Sequence, residues 1–342
     1  MLALSRYSYI NARLRAKIGK LLDENFLRSL AHMQNIGDIY VKLSETDFGR
    51  VFKGSPEPPD AVAASYALGR YEAGLYREAL RYLKGNVREY VRSMMFRFDA
   101  DFIKNCLRLW YKKASPSREF LESYTCFKYD TAKLLNSRTV EEFILYLHDT
   151  PFIDPLIRKK DLFHEKKSLF PLELALDIWY YENLMEKSGL LSSDDREIIK
   201  KTIGLEIDIK NIEGLIRYRH YYNLPMGDAM GFMIPHGHSI KGGMIRDLYS
   251  SGSLKGIFGV LAPGAPLPDI RDEKKNLAAI ESILTALLKS SARSLLARFP
   301  FSISVVIAYF ILKRLEIKSV GLILSGRHLD LAPETITGAL NV

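Results

Sequence analysis

The chain has 342 residues, 47% hydrophobic and 26% charged, a globular balance that excludes a disordered or low-complexity protein and allows two or three domains. With 49 lysines and arginines against 40 aspartates and glutamates, its net charge of +9 points to an acidic partner or surface: nucleic acid, anionic lipid or an acidic protein. The two cysteines, Cys106 and Cys126, lie inside apolar helical patterns, which excludes a disulfide framework and reads as packed thiols in a reducing cytoplasm.

Residues 6–22 place Ile10, Leu14, Ile18 and Leu21 on one helical face and Arg13, Arg15, Lys17 and Lys20 off it. These cations interrupt any apolar run, so no signal peptide is expected. The basic face is either solvated or a surface for an acidic partner or phospholipid, which makes Arg13 and Arg15 interface candidates. Residues 61–83 read as one long helix closed by Gly85. A second helix from Asn86 carries Val91, Met94, Met95, Phe98, Phe102, Cys106 and Trp110 at spacings of three and four, the core-facing pattern of a helical hairpin.

A second hairpin starts with Leu172–Lys187 and continues past Gly189 into Asp194-Asp-Arg-Glu197, which has the spacing of a capping box. In the helix that follows, Ile198, Ile203, Ile207, Ile212 and Ile216 point in several directions, which predicts packing on several sides at the centre of the molecule. Gly204 and Gly214 each cost about 1 kcal/mol relative to Ala in a helix, so a neighbouring helix is expected to approach closely there. The third hairpin spans residues 276–299 and 301–316, hinged at Pro300, and a last short helix opens in Leu331–Ile336 at a proline. The most apolar stretch, Phe299 to Leu312, falls short of the roughly 20 residues that span a bilayer and reads as a buried helix, with no transmembrane anchor expected. Strand-like alternation of useful length is absent, so the fold class is all-α.

The run Glu206–Arg219 recurs, as Asp101-Phe-Ile-Lys-Asn-Cys-Leu-Arg108 and, more weakly, as Glu316–Arg327. Matching Asn105 to Asn211 gives an offset of 106 residues, and matching Asp208 to Glu316 gives 108. Upstream of each copy a short apolar-patterned segment meets a proline-rich turn: Asp47–Phe52 before Gly54–Pro59, Glu141–Leu147 before Thr150–Pro155, and Ser253–Leu261 before Ala262–Pro268. The period is too long for a solenoid, whose repeats run roughly 20 to 50 residues. Three similar helical domains are expected instead, at residues 1–130, 131–240 and 241–342, with room for the N- and C-terminal parts to pack together. The same offsets align Lys113, Arg219 and Arg327. These cations either complement the C-terminal dipoles of three equivalent helices or gather around a common axis to meet acidic groups.

His236-Gly-His238, with His220 upstream, is the one cluster resembling a metal site, but residues at i and i+2 share no helix face, and Pro235 and Gly237 mark a turn. Phosphate-loop, dinucleotide and nucleophile-elbow motifs are missing. No catalytic set, metal, cofactor or direct nucleotide binding is expected. A basic helical nucleic-acid-binding protein is the alternative class; it has the net charge and Arg158-Lys-Lys160 in its favour, but no helix face aligns cations with aromatic platforms.

Tyr9-Ile-Asn-Ala-Arg-Leu-Arg15 resembles the opening helix of the C subunits of the archaeal and bacterial A/V-type ATPases, counterparts of the d subunit of the vacuolar ATPase. Ile234-Pro-His-Gly-His238 is similar to that family's Ile-Pro-Gly-Gly turn with His236 in place of a glycine, and Thr150-Pro-Phe152 to its Thr-Pro-Tyr. Phe301–Ile317 resembles its C-terminal signature, with Ser304-Val305 in place of Gly-Pro. The resemblance implies a three-domain helical funnel of pseudo-threefold symmetry without a catalytic set. It implies a peripheral place on the cytoplasmic face of a membrane complex, seated on the membrane rotor ring and receiving the central shaft of the soluble ATPase head. Torque would pass through this socket during ATP-driven ion pumping or ion-driven ATP synthesis.

Overall fold

The computed structural model describes residues 2–52, 59–117, 124–220, 222–240, 242–251, 255–261 and 277–340. Of the expected proline-rich turns, residues 262–268 and all of 54–59 except Pro59 lie outside these residues. Nineteen helices and no strand occur among the described residues. The first seven are α1 (Leu2–Ile18), α2 (Glu24–His32), α3 (Ile36–Ser44), α4 (Gly49–Phe52), α5 (Ala61–Leu80), α6 (Gly85–Met94) and α7 (Phe96–Lys112). Four short helices, α8 (Thr131–Leu135), α9 (Val140–Leu145), α10 (Ile153–Ile157) and α11 (Lys160–Lys166), lead to α12 (Phe170–Ser188) and α13 (Ser193–His220). Then come α14 (Met226–Gly231), α15 (Gly242–Ser251), α16 (Lys255–Leu261), α17 (Leu277–Leu295), α18 (Ser304–His328) and α19 (Pro333–Ala339).

Local chemistry sets these boundaries. Asp23, Asn35, Asp60, Asp130 and Thr139 each place a side-chain oxygen on a free amide of the first turn of the helix they precede. Pro171 sits in the first turn of α12, where its missing N–H removes no helical bond. At α13 the expected Asp194–Glu197 box is replaced by Ser192, whose Oγ accepts from the Asp195 amide at 3.3 Å. Asp195 is buried and used elsewhere: its carboxylate accepts from Tyr7 Oη at 2.7 Å and from the Ile303 amide at 2.8 Å, joining three distant segments. The single helix expected from Asn86 through Trp110 is broken at Met95, whose amide bonds only three residues back, to Arg92. The chain passes from the central core to a second one about a turn later, between Phe98 and Ala100.

Three apolar clusters hold the fold. The central one joins α1, the second half of α5, α6, most of α12 and α13, α17 and the start of α18, with Tyr76 stacked on Phe310 at 3.8 Å. A second gathers Ala100–Leu107 of α7, the short helices α8–α11, and Leu172 and Leu176 of α12. The third packs α2, α3 and the start of α5 against Ile317–Leu324 of α18 and Ile336 and Leu340, so the two ends of the chain share a core. The expectation that α13 is the centre is corrected: that place belongs to α18, which packs against α1, α2, α3, α5, α17 and α19. Residues Ser302–Lys313 are all buried, as a helix apolar all round must be. Lys313 ends that run with its ammonium 2.5 Å from Glu316 and 4.4 Å from the Phe48 ring centre, so its charge is met on two sides.

Candidate functional site

Five long helices border one cavity of about 560 Å³: α12, through Glu173, Asp177 and Tyr181 among others, α17, through Leu284 and Leu288, and the three helices α7, α13 and α18. α7 contributes Arg97, Asp101, Lys104 and Arg108; α13 contributes Glu206, Lys210, Glu213 and Arg217; α18 contributes Arg314, Leu315 and Lys318. The spacing i, i+4, i+7, i+11 is the same on α7 and α13, so each helix turns one stripe to the cavity. The register follows directly: Arg97 lies 109 residues before Glu206 and Glu206 lies 108 before Arg314, so Asp101, Lys210 and Lys318 share the next level.

The same register relates three buried carboxylates that hold loops to these helices. Asp99 of α7 accepts from the amides of Cys126 and Phe127, each at 3.0 Å, and from Tyr129 Oη. Asp208 of α13 accepts from the Ser239 amide at 2.6 Å and, more weakly, from Ile240. Glu316 of α18 accepts from the Leu22 amide at 2.6 Å. Burial pushes all three carboxyls above their ordinary values, and the loop amides, or Lys313 for Glu316, oppose it.

The 106-residue offset from Asn105 to Asn211 is therefore three residues out of register with the faces that meet. Asn211 exchanges two hydrogen bonds with the Ile234 backbone, at 2.9 and 2.8 Å, whereas the side chain of Asn105, among the described residues, meets only Arg108 of its own helix, at 3.4 Å. In the observed register Arg219 and Arg327 remain equivalent, and the residue of α7 at their level is Trp110 instead of Lys113.

Most charges on the cavity wall are paired. Lys104 lies 2.7 Å from Asp177 and 3.0 Å from Asp101; Arg108 meets Glu173 at 2.7 Å through a two-pronged contact. Lys210 meets Glu213 at 2.9 Å, Arg217 meets Glu281 at 2.9 Å, and Arg314 meets Glu206 at 2.8 Å. Arg97 pairs with Glu72 behind the wall and lies over the Phe98 ring. Burial opposes ionisation of Glu206, but Arg314 and the Tyr181 hydroxyl outweigh it and hold the carboxyl below its ordinary value. Lys318 is exposed and has no ion pair among the described residues. Phe170 and Tyr222, stacked at 5.1 Å, add an aromatic edge to the cavity.

The interface candidates read from the sequence lie elsewhere, and no two of them share a partner. Arg13 donates to Glu78 at 3.0 Å, beside Lys17 at 2.8 Å, so much of the basic face of α1 is neutralised within the chain. Arg15 donates to the Leu296 carbonyl at 2.8 Å. Lys113 is exposed and closes α7 in the left-handed conformation at φ 51°. Arg219 donates to the Leu248 carbonyl of α15 at 3.1 Å, and Arg327 to Leu331 and Ala31 at 3.2 and 2.9 Å. His236 and His238 flank the Gly237 turn, and no group of three or more potential metal ligands occurs among the described residues. The runs that carry most of these residues, Asp101–Arg108 and Glu206–Arg219, read in the sequence as a repeat and not as a cavity wall, because the 106-residue offset hides the charged stripe that recurs at 109.

The chain matches the family described as ATP synthase (C/AC39) subunit over residues 10–339. It is 26% identical to the C subunit of the A-type ATP synthase of Methanosphaera stadtmanae over 93% of this chain and 83% of that one. It is 25% identical to the corresponding protein of Methanocaldococcus jannaschii, covering 98% and 86%. For that of Methanosarcina acetivorans the identity is 27%, covering 99% and 93%. With nearly its whole length matched, the chain belongs to the ATP synthase (C/AC39) subunit family.

Proposed function

We propose that this component of an A/V-type ATPase is the non-catalytic socket between the central shaft of the soluble head and the membrane rotor ring. The observation that carries this reading is the cavity bordered by matching charged stripes on α7 and α13 and by Arg314 and Lys318 of α18 at the same levels, a shape suited to an inserted shaft tip. Six of its cations are held by neighbouring carboxylates, so the wall is charged and stiff, as a part that bears torque requires. In the three-domain division, the units 1–130, 131–240 and 241–342 each supply one of these helices. No helix among the described residues is long and apolar enough to cross a membrane, which suits a peripheral place on the cytoplasmic side, against the ring.

Reconstitution tests the reading. Complexes assembled without this chain are expected to hydrolyse ATP in the head while losing ATP-driven ion uptake into vesicles, and adding the chain back restores uptake. Full ion pumping in its absence would refute a coupling role.

A further inference from the structure

A socket built from three matching helices has a difficulty that its geometry must solve. If the three faces were identical, a shaft tip would find three nearly equivalent seats a third of a turn apart, and torque transfer needs one. The level formed by Asp101, Lys210 and Lys318 differs at each helix: Asp101 is held by Lys104 at 3.0 Å, Lys210 by Glu213 at 2.9 Å, and Lys318 has no ion pair among the described residues. Lys318 is exposed and also borders a second cavity of about 550 Å³ between α17, α18 and the α1–α2 junction.

Resting on the socket reading, we infer that Lys318 fixes the rotational seat of the inserted partner by pairing with a carboxylate on its tip. A cavity of about 560 Å³ has roughly the volume of one helical turn, about 5.4 Å long and 10–12 Å wide. A single acidic side chain on that turn therefore finds Lys318 without an ion pair among the described residues, while the two other seats offer it a carboxylate or an already paired lysine. A wrong seat is disfavoured by like-charge contact at Asp101 and by the need to break the Lys210–Glu213 pair.

The test is calorimetric titration of the full chain with the purified central shaft of the same complex, at low and high salt. Lys318→Gln is expected to weaken binding roughly fivefold to tenfold at low salt and Lys318→Glu further, with reduced salt dependence in both, while Lys200→Gln, at an exposed lysine of α13 outside the cavity, changes affinity less than about twofold. The double variant Lys318→Gln/Glu213→Gln frees Lys210 at the equivalent level and is expected to recover part of the lost affinity. Lys318 is exposed, and matching thermal unfolding of each variant confirms that the fold is intact. Unchanged affinity in Lys318→Glu, or no recovery in the double variant, would overturn the seating inference while leaving the socket reading in place. Failure of the unaltered chain to bind the shaft would instead refute the socket reading itself.

Discussion

At the scale of single residues the fold depends on charges taken out of water and met there. Glu206 is 6% exposed and pairs with the partly exposed Arg314 at 2.8 Å, so Glu206→Gln leaves that guanidinium without its counter-charge and is expected to cost about 1–3 kcal/mol at pH 7. Because the folded state holds this carboxyl below its ordinary value of 4.5, its contribution is present above that value and is lost as pH falls through the folded value. Urea denaturation of the unaltered chain and the variant should therefore show the gap narrowing below about pH 4.5, and a gap that is constant down to about pH 3 would contradict the pairing. His236 is a second case: it holds φ 71°, a left-handed conformation that disfavours side chains by about 1–2 kcal/mol, at the place where the resembling turn has glycine. His236→Gly is expected to raise stability by up to about 1 kcal/mol in the same assay, the entropy of the added glycine taking back the rest. The resemblance located that position, but only the backbone angle shows why glycine suits it.

At the scale of elements, the loops that follow α7 and α13 are held by a helix carboxylate, Asp99 and Asp208 respectively. Asp208→Ala strips the acceptor from the amides of Ser239 and Ile240 and is expected to cost about 1–3 kcal/mol, with faster amide exchange across residues 234–240. Unaltered exchange there would mean that Asn211 alone holds the turn. Gly237→Ala should act on the same contact, since a Cβ there would lie 2.2 Å from Asp208 Oδ1. Helix existence was legible from apolar spacing, and α12, α13 and α19 begin within a few residues of their expected starts. The break at Met95 was not, because the Val91–Trp110 stripe runs through it without interruption: Met94, Met95 and Phe98 pack in one core, and the stripe enters the second core only from Phe102. Gly204 does mark a close approach, but the neighbour is the His238 backbone of the loop, not a helix. The register slip has a similar origin: Lys104-Asn105 and Lys210-Asn211 are identical in letters, yet the first asparagine bonds within its helix and the second holds a loop.

At the scale of the whole molecule, the all-α class and the family were legible because whole-chain patterns carry them, while the cavity was not, since it arises from which helix stripes meet. The basic face of α1 shows the limit of counting charges: +9 is a property of the composition, but Arg13 and Lys17 are bound to Glu78 inside the chain. The isolated chain is expected to show no micromolar affinity for ATP by calorimetry, and such binding would contradict a purely mechanical role. The most direct test of the socket uses cysteines placed singly at Asp101, Lys210 and Leu315, one on each of α7, α13 and α18, and maleimide labelling with and without saturating shaft. Background labelling is low, because Cys106 is buried and burial pushes the Cys126 thiol up to about 12. Protection of all three sites by the shaft is the expected result; labelling that stays unchanged at any one of the helices while the shaft is bound would contradict insertion between them.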